Sequence, residues 1–325
     1  MKKPDKEEQI LGLLKASREN YVSGEELSKK FGVTRAAIWK NMHSLMEQGY
    51  KIESHTHSGY KLISSPDKVL AVEIKDGLQT KYIGRELYCF NEAGSTNALA
   101  MKLAEDSAPE GAVVIAEAQT GGKGRLGRKW ISPSGAGLWF SIILRPRLSP
   151  QDSSKLTFIA GLAVLDAIQS VTGLKAGLKW PNDVLINGKK VCGILTEIKS
   201  GPDLIEYQVI GIGVNVNLNL RDLPAPLREL ATSLSVEAKK EVPRLLLLKE
   251  ILKNIEDGYE LFKREGFAPF LARWKEHSVT LNKKVKVAGL LESFEGQALD
   301  IDEDCALILR LVSGEKKRVL SGDVS

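Results

Sequence analysis

Three cysteines in 325 residues, Cys89, Cys192 and Cys305, are too few and too scattered for a disulfide framework, and no CxxC spacing offers a zinc site. Histidine is scarce as well. Three of the four lie before residue 58, so only His277 is left to the rest of the chain, which argues against a histidine base there. No run of about 18 apolar residues predicts a membrane span. The opening MKKPDKEEQI is charged and no apolar h-region follows, so no signal peptide is expected. No GxxxxGK[ST] follows a strand-like run, which excludes a P-loop nucleotidase. These absences together predict a cytoplasmic protein in a reducing compartment, with no membrane. Charge of one sign is also modest: the net +5 permits nucleic-acid binding without demanding it. What is present, 43% hydrophobic and 27% charged residues, describes a globular chain long enough for two or three domains.

The first 65 residues predict a helix over roughly 6–18, then a helix, turn, helix and hairpin. Ser23 with Glu26 three residues on marks a helix start, and Gly32 supplies the turn. Thr34 caps a second helix running to about Gln48, with Gly49 just past its end. Ile38, Met42, Leu45 and Met46 recur at helical spacing as its buried stripe, while Arg35, Trp39, Lys40 and His43 lie off it. The strands of YKIESHTHSGYKL then form a wing. This order is that of a winged helix-turn-helix, whose second helix enters a DNA major groove. Eleven Lys and Arg against eight Asp and Glu fall in this segment, more than half the net charge of the chain. DNA binding through Arg35, Trp39, Lys40 and His43 is the expectation; the alternative is a helical module for protein contacts with a solvated basic face. His55 and His57 have no third ligand nearby and read as wing residues beside phosphate.

After SSPDK (64–68) the pattern changes. Strands are expected over 86–90, 112–118, 137–146, 183–187, 190–199 and 206–217. Long helices are expected over about 153–171 and 243–264. NGKK (187–190) is a hairpin signal, so the sheet is mixed or antiparallel. The stretch GGKGRLGRKW (121–130) packs four glycines and four cations into ten residues. Glycine lets backbone N–H groups approach a ligand, and Arg adds a planar fork for carboxylate or phosphate. The letters GKGRLG satisfy GxGxxG, but the fillers are cationic and a strand rather than a long helix follows, which argues against a dinucleotide fingerprint. Four other stretches carry weak signals singly. They are GSTN (94–97), with hydroxyls and an amide at a helix start; KWPNDV (179–184), a proline-fixed turn; GKKVCGILTE (188–197), with Lys190 at the start of a buried strand; and GIGVNVN (211–217), two glycines in an apolar strand where something must come close. Cys192 reads as core. Residues 276–325 alternate apolar and polar with Gly and Asn turns, as in a small five-stranded barrel.

Taken in this order, the stretches resemble the biotin protein ligase family: ST-N, then Gln119 with the basic glycine loop, then KWPND, then KVCGILTE, then GIG-N-N. The winged helix and the C-terminal segment extend the resemblance over almost the full chain and make the bifunctional class, ligase and repressor of biotin synthesis, the best match. The loop departs from the family pattern: Arg is usual where this chain has Lys123 and frequent where it has Leu126, so charge survives at 123 and a donor is lost at 126. The implied fold is an α/β (α+β) multi-domain chain: a winged helix-turn-helix (1–65), a mixed-sheet ligase domain (66–275) and an SH3-like C-terminal β barrel (276–325).

The resemblance implies two half-reactions. Biotin and MgATP give biotinyl-5′-AMP, and the acyl group then passes to a lysine of a biotin carboxyl carrier protein. It assigns biotin to Ser95, Thr96, Asn97, Gln119, Lys123, Gly124, Arg125, Trp130, Lys190 and Gly193. It assigns the adenylate to Arg125, Arg128 and Asn215, and catalysis to Arg125, Lys190 and Asp183, with no protein-held metal. It also implies a homodimer on adenylate binding that recognises operator DNA, with KVCGILTEIK (190–199) as a candidate dimer edge. The loop is expected to be mobile when empty, because glycines and like charges lack a packing partner. The alternatives are a biotin-sensing regulator without ligase activity, a ligase whose winged helix only scaffolds, and a lipoate-type ligase.

Overall fold

The computed structural model describes residues 6–17, 19–289 and 292–325, and divides into two compact units, Met1–Gly77 and Leu78–Ser325. In the first, α1 (Lys6–Ala16), α2 (Gly24–Phe31) and α3 (Arg35–Glu47) precede a hairpin of β1 (Lys51–His55) and β2 (Gly59–Ser64). Arg18, where the first helix was expected to end, lies outside the described residues. Ser23 Oγ accepts the Glu26 N–H at 3.0 Å and Thr34 Oγ1 accepts the Ala37 N–H at 3.2 Å. Each such cap stabilises its helix by about 1 kcal/mol. Gly32 closes α2 with φ +62°, a left-handed conformation that favours glycine. Ile38, Met42 and Leu45 are buried against Ile10, Leu11 and Leu14. Met46 is only half-buried, a correction with a geometric cause: eight residues on from Ile38 at about 100° each, it has drifted about 80° round the helix. The unit ends with α4 (Ala71–Lys75). Buried Lys15 meets Glu73 at 2.5 Å and Asp76 at 3.1 Å, joining α4 to α1. Tyr50 is buried beside this pair; burial and the Glu73 carboxylate push its hydroxyl pKa up.

The second unit is built on a seven-stranded mixed sheet. Its strands are β3 (Leu87–Ala93), β4 (Val113–Gln119), β5 (Gly137–Leu144), β6 (Gly177–Lys179), β7 (Asp183–Ile186), β8 (Lys189–Ser200) and β9 (Ile205–Asn215), in the order β3-β4-β5-β9-β8-β7-β6. Only the β3–β4 pair is parallel. The β7–β8 hairpin turns at Asn187 and Gly188, both at positive φ, as NGKK predicts. Helix α5 (Thr96–Glu105) packs over β4, β5 and β9, while α6 (Ser153–Thr172) lies over β6 to β9. Among the described residues α6 alone is long and apolar enough to cross a membrane, yet Phe158, Ile159, Leu162 and Ile168 are buried in the core. Gly173 closes it at φ +75°, as expected. Short α7 (Ala225–Arg228) and α8 (Leu234–Ala238) follow β9. Then α9 (Arg244–Glu265) packs on α6, and α10 (Ala268–Glu276) leads to the C-terminal strands.

Those strands, β10 (Lys284–Ala288), β11 (Ser293–Ile301), β12 (Leu307–Leu311), β13 (Lys316–Val319) and β14 (Asp323–Val324), form an antiparallel sheet ordered β13-β12-β11-β10-β14. It belongs to the second compact unit, with Trp180 as a peg. The Trp180 side chain is buried, its Nε1 donating to the Cys305 carbonyl at 2.9 Å and its backbone N–H to Thr280 Oγ1 at 3.0 Å. KVCGILTEIK, the candidate dimer edge, is a sheet edge in its second half: β7 pairs with β8 only as far as Gly193, and beyond that point β9 alone pairs with it among the described residues, as far as Ser200.

Candidate active site

A cavity of 330 Å³ opens over β8 and β9, where three glycines leave the sheet bare. Successive strand residues face opposite ways, so Gly193, Gly211 and Gly213 present one face and Ile194 the other. A Cβ at Gly211 would fall 1.9 Å from Asn97 Oδ1, and one at Gly213 would fall 2.4 Å from Trp130 Nε1. The Trp130 ring therefore lies directly on the strand and crosses above Gly193 as well. Its buried Nε1–H has no acceptor among the described residues. A flat apolar slot with one unanswered donor suits a ligand with an apolar body and a polar group.

One end of the slot is lined with hydroxyls and amides at the start of α5. Ser95 caps this helix, accepting the Ala98 N–H at 3.4 Å. The Thr96 N–H and hydroxyl both donate to Gln119 Oε1, at 2.8 and 3.1 Å, and Gln119 Nε2 donates to Ser132 Oγ at 2.9 Å. Ser141 Oγ lies 2.8 Å from Thr96 Oγ1 and donates to Asn97 Oδ1 at 2.6 Å. Asn97 in turn donates to the Leu195 carbonyl and to Glu197. Its amide holds α5 to β8, so Asn97 lines the cavity as a positioning group rather than a free donor. Ser132 and Ser141 escaped the sequence reading; nothing in ordinary strand patterning marks a serine whose partner is thirteen or more residues away.

The other end is cationic. Lys123, Gly124, Arg125 and Arg128 line it from the loop, and Lys190 from β8. The loop is a folded turn, closed by the Gly124 N–H on the Arg128 carbonyl at 2.7 Å and the Trp130 N–H on the Gly122 carbonyl at 2.9 Å. Leu126, exposed at its tip, takes φ +55° and Gly127 +73°. The expectation that these cations lack packing partners is corrected. Arg128 pairs with Asp323, while Arg125 donates to Asn182 Oδ1 at 3.3 Å and to the Gly322 carbonyl at 3.2 Å. Burial holds the Arg125 guanidinium below its ordinary pKa, opposed by the nearby Asp323 and Asp183 carboxylates and reinforced by Arg128. Lys190 Nζ sits 2.6 Å from Asp183 Oδ1 and 5.1 Å from the Trp130 ring centroid. Asp183 is thus engaged by Lys190.

Asn215, on β9, is buried at the same cavity and donates to the Thr232 carbonyl at 3.0 Å. This ties the sheet to a loop whose Leu223, Leu227 and Leu230 complete the wall. The loop hangs on β8 through the Lys190 N–H to the Leu230 carbonyl and the Thr232 N–H to the Lys190 carbonyl, both 2.9 Å. The structure thus brings Ser95, Thr96, Asn97, Gln119, Lys123, Gly124, Arg125, Arg128, Trp130, Asp183, Lys190, Gly193 and Asn215 to one cavity. Sequence reading passed over Asn182, although WPND displays it, and the leucine loop. Cys192 is fully buried and burial pushes its thiol pKa up, so it is core.

In the first unit, Arg35, Trp39, Lys40 and His43 share the exposed face of α3. Trp39 is 56% exposed, an unusual position for an indole, and lies against His43 with ring centroids 3.9 Å apart and planes tilted by 38°. Arg35 is paired with Glu25 at 2.7 Å.

Residues 90–215 match the biotin/lipoate A/B protein ligase family, residues 280–325 match a biotin protein ligase C terminal domain, and residues 6–61 match an HTH domain. The bifunctional ligase/repressor BirA of Bacillus subtilis is 37% identical over 315 residues, 97% of each chain. BirA of Escherichia coli is 30% identical over 304 residues, 93% of this chain and 92% of that one. Among solved structures, the biotin protein ligase from Aquifex aeolicus in complex with biotin and ATP superposes with a TM-score of 0.63 at 32% identity, over 74% of this chain and 98% of its own.

Proposed function

The chain belongs to the biotin protein ligase family, and we propose that it activates biotin with ATP to biotinyl-5′-AMP and transfers biotin to a lysine of a biotin carboxyl carrier protein. Its N-terminal unit binds operator DNA, with the adenylate as corepressor, so that the chain is also a repressor of biotin genes. The observation that carries the ligase reading is the convergence of Arg125, Arg128, Lys123 and Lys190 on one end of a glycine-floored slot. Joining a carboxylate to an α-phosphate brings two anions together. Fixed cations in a partly buried site stabilise that junction without a covalent enzyme intermediate.

Each residue then has a physical task. Ser95, Thr96 and Gln119 face the ureido ring with hydroxyls and an amide. Asn97 holds the helix that carries them. Trp130 and Gly193 enclose the apolar body, and Lys123, Gly124, Arg125 and Arg128 surround carboxylate and phosphate. Lys190 leaves Asp183 to meet the carboxylate, and Asn215 faces the adenylate. Mg2+ arrives on the ATP phosphates. It retains much of its water shell and takes few protein ligands. Accumulated adenylate fastens the basic loop and the leucine loop and favours a homodimer, whose two α3 faces match a two-part operator.

The test is pyrophosphate release with ATP and biotin, lipoate or octanoate in parallel, followed by label transfer to a carrier domain. Release and transfer with biotin alone is the expected result; tight biotin binding without release would leave only a ligand sensor. Sedimentation with and without biotinyl-AMP tests the dimer, which should rise with the adenylate.

A further inference from the structure

The outer face of α3 has few groups free to read a base edge by hydrogen bonding. Thr34 Oγ1 is engaged by the Ala37 N–H at 3.2 Å. The Arg35 guanidinium, the fork that suits guanine, donates to Glu25 at 2.7 Å, and Glu25 is held in turn by Lys29 at 3.0 Å. Asn41 carries the amide that suits adenine, but its Nδ2 donates to the Ala37 carbonyl at 2.9 Å, one turn back along its own helix. Ala36, Trp39, Lys40 and His43 remain on the exposed face. We propose that Trp39, with Ala36 one turn before it, selects operator DNA by apolar contact with the C5 methyl group of a thymine in each half-site. The proposal deepens the repressor reading above and rests on it.

An indole that is 56% exposed leaves apolar surface in water, and contact with another apolar group recovers part of that cost. In the major groove the thymine methyl is the apolar group that the base edges present. Ala36 lies three residues before Trp39, so the two are neighbours on the helix surface and form one apolar strip. Trp39 is the fifth of the thirteen residues of α3, in the half of the recognition helix that meets base edges in this motif. His43, one turn on, fixes the indole. The ring centroids are 3.9 Å apart, and His43 Nδ1 lies 3.3 Å from the Trp39 carbonyl. An indole already held in place loses little side-chain freedom on contact. The surroundings suit a polyanion rather than an apolar protein face. Lys40, exposed at the next position, brings charge to phosphate, which adds affinity without sequence information. Glu47, exposed at the end of α3, repels phosphate and confines close approach to the earlier turns. Discrimination on this helix therefore falls to the apolar strip.

The test uses the full chain with biotinyl-AMP bound. Its preferred site is first selected from random-sequence duplexes. Each thymine of that duplex is then replaced singly by deoxyuridine, which removes only the methyl group. In the unsubstituted protein, replacement at one thymine of each half-site should weaken binding by about three- to tenfold. Trp39→Ala should weaken binding to the thymine duplex by a similar factor, and deoxyuridine at the same position should then cost nothing further. Trp39→Phe should restore sensitivity to the methyl group. W39A should also leave the slope of log K against log salt unchanged, because an indole releases no counterion. The scan of the unsubstituted protein needs no variant to fold. A scan in which no thymine responds, or one in which the response is as large in W39A, overturns the methyl contact while the repressor reading stands. A shift of the dimer equilibrium in W39A with an unaltered scan also overturns it and places the indole against protein. Failure of the adenylate-bound chain to select any duplex overturns both.

Discussion

Two basic surfaces of this chain hold their cations in opposite ways. On α3, Arg35, Lys40 and His43 stand on a convex, exposed face beside an exposed Trp39, and Arg35 already shares its charge with Glu25. In the ligase unit, Lys123, Arg125, Arg128 and Lys190 converge on a concavity, with Arg125 drawn partly out of solvent. A convex face meets a long polyanion at many points, each screened by salt and each contributing a little. A concave, partly dry site concentrates its charge on one reacting junction, where every group matters. On the proposed function, the same residue types would therefore give additive affinity in one place and cooperative chemistry in the other.

The sharpest way to break this contrast is Arg125→Ala. It should lower pyrophosphate release with biotin by about 10²–10³-fold, and Arg125→Lys should recover only part of that because the planar fork is lost. A loss of only a few-fold would make the loop a diffuse patch like α3. Next in size is the floor. Gly213→Val would force Trp130 off β9 and should weaken biotin binding by roughly 10–100-fold, a loss of about 1.4–2.8 kcal/mol read by calorimetry. Smaller again is Lys40→Ala on the convex face. It should weaken operator binding a few-fold and reduce the slope of log K against log salt by about one. A loss as steep as that for Arg125 would erase the distinction. The smallest effect concerns the loop itself. Cleavage within 121–130 should slow several-fold with biotinyl-AMP, since Arg128 and Arg125 then hold a ligand as well as Asp323, Asn182 and Gly322. Equal rates would mean that the empty loop is already as firmly held as the filled one.

Local signals were legible where the cause was local. Ser23, Gly32, Thr34, Gly173 and the NGKK turn act within a few residues of themselves, so capping and positive-φ rules found the helices and the hairpin they govern. The short β6 escaped, because three residues carry no period. The edge expected at 190–199 was legible only in part for a related reason: β7 folding back on β8 as far as Gly193, not the strand's own alternation, confines the open edge to the second half of that stretch. Within the site, the cations and glycines announced themselves as an unusual composition. Asn182, Ser132, Ser141 and the leucine loop did not, since each acquires its role only from a partner far along the chain.

The sequence by itself determined the order of the longer elements, the caps and turns that bound them, and the glycine-rich, cationic make-up of the 121–130 loop, because these follow from backbone preference and side-chain chemistry within a few residues. Only the tertiary structure decided that Gly193 and Gly213 lie beneath Trp130, that Lys190 meets Asp183, and that Arg125 donates to Asn182. Those are contacts between strands and loops tens of residues apart, and their geometry is set by the register of β7, β8 and β9, which no single stretch of chain contains.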